Sequence, residues 1–127
     1  MQNPNFISHA KEVLSKLGKP FNCYHTAQLT GNPDHELHSQ LYYAPLDKYF
    51  EFTYTPEKAP CRIVLKSGEC AYGEKIQELF PNDKGLAEVQ AQAYIGYKTA
   101  NGLIAVLSPE IIENPDSILN LLKNCSS

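Results

Sequence analysis

Four cysteines and four histidines are the side chains of this 127-residue chain best suited to covalent or metal chemistry. Cys23, Cys61, Cys70 and Cys125 include no Cys-x-x-Cys pair, so they do not form a zinc pattern. They read as free, partly buried thiols. His35-Glu36-Leu37-His38 places two histidines three apart. Three apart on a strand sends side chains to opposite faces, and a zinc protease needs His-Glu-x-x-His. The pair reads as solvated histidines of a loop, and His9 and His25 have no evident partner in sequence. No Ser/His/Asp array, P-loop or paired-carboxylate site can be placed, so the expectation is a chain that is not an enzyme.

Two other residue classes could bind. Arg62 is the single guanidinium and could grip an anion bidentately, although a lone arginine on a short helix is more commonly a surface residue. The aromatic residues cluster in strand-like runs, where they normally form core. A net charge of -3 gives no electrostatic footprint for nucleic acid. No apolar stretch approaches the roughly 18 residues of a membrane span, and the start shows neither part of a signal peptide. The expected location is the cytoplasm.

The elements that position these residues are well punctuated. Asn3 can cap a helix over about 4–17, Pro4 suits its first turn, and Phe6, Ile7, Ala10, Val13, Leu14 and Leu17 form its apolar stripe. Gly18 and Pro20 stop it. Strands follow at about 21–29, 39–44 and 49–54, the last two being either separate or one strand broken near Pro45. A short helix at 61–66 precedes a strand at 69–73, and Asp83 can cap a helical turn reaching Val89. Two apolar runs, 92–99 and 103–108, flank Asn101-Gly102, the strongest short signal for a type I′ hairpin. Asn114 and Pro115 open a last helix over about 115–123, with Ile118, Leu119 and Leu122 on its apolar face. The order predicts a single α+β domain over 1–127 with an antiparallel sheet packed by helices. It contradicts a Rossmann fold, because no Gly-x-Gly-x-x-Gly occurs.

Three pieces in order carry a resemblance: Ala59-Pro60-Cys61, then Phe80-Pro81-Asn82-Asp83 followed by Leu86, then Ala93-Tyr94-Ile95-Gly96 with Asn101-Gly102 and Ala105-Val106-Leu107. The chain resembles a GAF domain of the kind found in bacterial sensor kinases and cyclic-di-GMP enzymes, over about residues 5–123. It departs from the pattern at Ala59, Tyr97-Lys98 and Ala105. The resemblance implies a central antiparallel sheet of about six strands. One face would carry the terminal helices and the other a small-molecule pocket closed by loops and short helices. It implies a sensory module of a signal-transduction protein, acting on an attached output domain, and the chain of such proteins usually continues beyond a point like Ser127. The segments that border the cavity in that family hold Tyr42, Phe52, Tyr72, Phe80 and Tyr94, and Cys61 and Arg62 are further candidates for ligand binding. The ligand, and any cofactor, is unknown. A homodimer through the stripes of the terminal helices is expected. Alternatives are a ligand-free structural module and a thiol-based redox domain like the free methionine-(R)-sulfoxide reductases. The latter also carry a cysteine pair near Cys61 and Cys70, but the third cysteine they need is missing between Ala71 and Asn124. Bilin attachment is not indicated, because Arg62 follows Cys61, and the cyclic-nucleotide signature is absent.

Overall fold

A computed structural model describes residues 4–18, 20–30, 36–54, 61–81 and 84–126. Asn3, His35, Ala59, Pro60 and Asp83, named above, lie outside the described residues. The architecture is α+β. Six strands form one open antiparallel sheet: β1 Cys23–Leu29, β2 Leu37–Tyr43, β3 Lys48–Tyr54, β4 Glu69–Tyr72, β5 Ala93–Lys98 and β6 Gly102–Ser108, in the order β3-β2-β1-β6-β5-β4. The question at Pro45 is settled by a turn. A 3₁₀ turn at Ala44–Leu46 separates β2 from β3, and Asp47 in the left-handed region (φ 49°) returns its N–H to Ala44 O at 3.1 Å.

Two long helices, α1 Pro4–Leu17 and α5 Pro115–Ser126, pack on one sheet face. Alternation of side chains along each strand sends Tyr24, Tyr42, Ile95 and Val106 to that face. There they meet Val13, Leu14 and Leu17 of α1 and Ile118, Leu119 and Leu122 of α5. Ala10, Val13 and Leu122 are fully buried. Ala10, Val13, Leu17, Ile118 and Leu122 of the two stripes are thus buried in this chain's own core, and Phe6 packs against it. Gly18 ends α1 at φ 111°, with its N–H on Leu14 O at 3.1 Å.

The opposite face carries three short helices, α2 Cys61–Ser67, α3 Ile76–Leu79 and α4 Lys84–Glu88. Val64, Ile76 and Leu86 from them cover Cys23, Ala27, Tyr94, Leu103, Ala105 and Leu107 of the strands. The chain after α4 is anchored by Gln77 Nε2, which donates to Ala91 O at 2.8 Å, and by Ile76 N–H, which donates to Gln92 O at 3.1 Å.

The β5–β6 hairpin forms, but not through the expected turn. Lys98 pairs with Leu103, leaving a four-residue loop, and neither Asn101 nor Gly102 has positive φ. Tertiary pairing overrides the local signal. Leu29 N–H donates to Asn101 O at 2.7 Å, and Gly102 pairs with Gln28 inside the sheet. A Cβ on Gly102 would run into the Ala27 carbonyl oxygen, so glycine serves close strand approach here, not turn geometry.

Candidate functional site

The register of the β2–β3 hairpin builds an apolar cleft. Leu41 faces Phe50 and Tyr43 faces Lys48 across the two strands, with Phe52 opposite Ser39. Directly paired residues share a face, so Leu41, Tyr43, Phe50 and Phe52 all lie on the side of the short helices. Helix α2 makes its main strand contacts with β4, β5 and β6. Phe50 and Phe52 consequently remain 45% and 41% exposed. Leu46 from the 3₁₀ turn, and Glu88 and Val89 at the end of α4, complete a cleft of about 420 Å³. Both its size and its apolar walls suit a small molecule.

Polar groups are buried behind this wall. The His25 ring lies against Phe52, with centroids 6.5 Å apart and planes 9° from parallel. Burial pushes its imidazole down to about 4, so it is neutral at neutral pH. Ser39, fully buried on the same face, has a hydroxyl with no hydrogen-bond partner among the described residues. Sequence gave His25 no partner; the fold supplies an aromatic one.

Among the described residues expected to bind, Phe52 alone lines this cleft. Tyr72, Phe80 and Tyr94 share its sheet face but lie at the far half. Tyr72 sits opposite Tyr94 across β4–β5 and meets Phe80 edge-on at 6.2 Å. Tyr94 is 2% exposed and belongs to the core. Arg62 is an exposed residue of α2 and does not line the cleft. Cys61 heads α2, and its side chain lies outside the described residues.

Tyr42 points the other way. It is one residue out of phase with Leu41 and Tyr43, so it faces α1 and lines a separate hollow of about 400 Å³ with Lys11, Leu14 and Phe21. Its Oη donates to Asp47 Oδ1 at 2.6 Å. Burial, then that hydrogen bond, push its phenol up to about 12. The same bond, assisted by the Lys11 ammonium 3.7 Å away, holds the Asp47 carboxyl below its usual value.

The thiols and remaining histidines also find places. Cys23 and Cys70 are buried and form no disulfide, and burial pushes the Cys23 thiol far above its ordinary value. That disfavours the thiolate nucleophile. His38 is a strand residue, not a loop one, with Nε2 2.7 Å from Glu51 Oε2 on β3. His9 meets the Tyr24 ring edge-on at 5.8 Å.

Leu41, Tyr43, Leu46, Phe50, Glu88 and Val89 went unselected in sequence. Their signal was the alternation of Phe50 and Phe52, which needs a register before it says which face of β2 is the partner. Compared with family models, with curated proteins and with solved structures, the chain matches none of them.

Proposed function

We propose that this chain is a GAF-type sensory domain that binds a small, largely apolar molecule in the cleft between the β2–β3 hairpin and α4. The observation that carries this reading is the cleft itself, a 420 Å³ apolar hollow whose aromatic wall is left uncovered by the short helices. It is supported by the layering, with terminal helices on one face of a six-stranded antiparallel sheet and short helices on the other, the arrangement that the GAF resemblance implies. The function is non-catalytic: occupancy biases an attached output domain, because a ligand that binds one packing of the cleft better shifts the population toward it.

The path outward runs through β1. His25 backs the cleft wall, and its neighbour Tyr24 projects to the other face, where its ring lies 5.6 Å from Phe6 of α1. A displacement of Phe52 on ligand binding thus reaches the N-terminal helix across one peptide unit. We place the protein in the cytoplasm; no helix among the described residues is long and apolar enough to cross a membrane. The reading is tested by a thermal-stability screen with small metabolites. A binder at 100 times its Kd stabilises by about 2.7 kcal/mol, and Phe50→Ala should reduce the shift for true cleft ligands.

A further inference from the structure

We propose that the cleft selects a lipophilic cation, an organic ammonium carrying an aromatic or aliphatic body. This rests on reading the cleft as a small-molecule site and adds the class of molecule it takes. Three rings, Tyr43, Phe50 and Phe52, line the hollow, and among the described residues its one charged lining residue is Glu88. No lysine or arginine lines it among the described residues.

Each ligand class meets a different environment there. A neutral apolar molecule gains only burial against the walls. An anion meets the Glu88 carboxylate and the aromatic rings, and the cation on this face, Lys48 opposite Tyr43, is exposed and outside the lining. A cation is attracted by both the carboxylate and the ring quadrupoles, and its apolar body still covers Phe50 and Leu46. The imidazole behind Phe52 adds no opposing charge, since burial keeps His25 neutral. The exposed position of Glu88 limits the charge contribution without removing it.

The test compares three probes of like shape: phenyltrimethylammonium, tert-butylbenzene and 4-tert-butylbenzoate. Binding to the whole chain is read from the methyl NMR shifts of Leu41, Leu46 and Val89. The expected order is cation, then neutral, then anion, with the cation about fivefold tighter than the neutral probe. Glu88→Gln should weaken the cation about threefold and leave the neutral probe unchanged. Phe50→Ala should weaken both. Equal affinity for cation and neutral probe, with no effect of Glu88→Gln, overturns the charge selectivity and leaves the small-molecule site standing. Tighter binding of the benzoate likewise overturns the selectivity alone. If none of the probes moves the cleft methyls, the selectivity and the site fall together.

Discussion

The His25 and Phe52 rings lie 9° from parallel across a centroid distance of 6.5 Å, although their strands, β1 and β3, are separated by β2. The contact spans the full width of β2 on one face. It joins a half-exposed wall of the cleft to a buried imidazole, so a change at Phe52 is felt in the centre of the sheet. On the proposed reading, a ligand against Phe52 would couple to the protonation of His25 through this pair.

The first consequence is a pH dependence. Folded, His25 titrates at about 4; unfolded, it returns to about 6.5. Between these values the unfolded chain binds more protons, so the contribution to stability is complete above 6.5 and is lost as pH falls toward 4. The slope is at most about 1.4 kcal/mol per pH unit. Urea midpoints at pH 7.5, 6.5 and 5.0 should fall in that order, and His25→Phe should flatten the series. A wild-type midpoint constant across this range would contradict the assignment.

Gly102 and Asn101 should behave unlike turn residues. Gly102→Ala forces a methyl against the Ala27 carbonyl and should cost about 3 kcal/mol, the upper end of overpacking effects. Asn101→Ala should change stability by less than about 0.5 kcal/mol, because Asn101 has no positive φ and contributes to the sheet through its carbonyl oxygen. Denaturant unfolding of the two variants checks this. A large loss in Asn101→Ala would restore the side chain to a structural role in the turn.

How much of this was legible in sequence divides along a physical line. The terminal helices follow from Pro4, Gly18, Pro115 and their apolar stripes, all signals within one turn of the residue concerned. The antiparallel α+β class follows from the order of the runs. What could not be read was register. Leu41-Tyr42-Tyr43 is apolar throughout, so nothing local says which residue faces the helices; pairing with Tyr49 and Phe50 decides it. The same non-local pairing displaces the Asn-Gly turn and gives His25 its aromatic neighbour.

The Tyr42–Asp47 pair gives a local check of that register. Loss of the hydroxyl in Tyr42→Phe should raise the Asp47 pKa toward the usual carboxylate value, since this bond is the largest cause of its depression. Lys11→Ala should also raise it. Carboxyl carbon shifts followed through an acid titration measure both. An Asp47 titration unaltered in Tyr42→Phe would mean that Tyr42 does not face this turn.

The terminal helices should act within one chain. Leu122, fully buried between α5 and the sheet, should cost about 3 kcal/mol when replaced by alanine. The unfolding midpoint of the unmodified chain should not change over a hundredfold dilution. A midpoint that rises with concentration would show that these stripes are shared between two chains.

The most direct test of the central claim is a methyl NMR titration of the unmodified chain with small apolar ligands, phenyltrimethylammonium first. The account predicts saturable shifts that are largest at Leu41, Leu46 and Val89, with smaller, transmitted ones at Val13, Ile118 and Leu122 on the far face. Shifts confined to the Tyr42 hollow on the helical face, or no saturable shift at the cleft methyls, would contradict it.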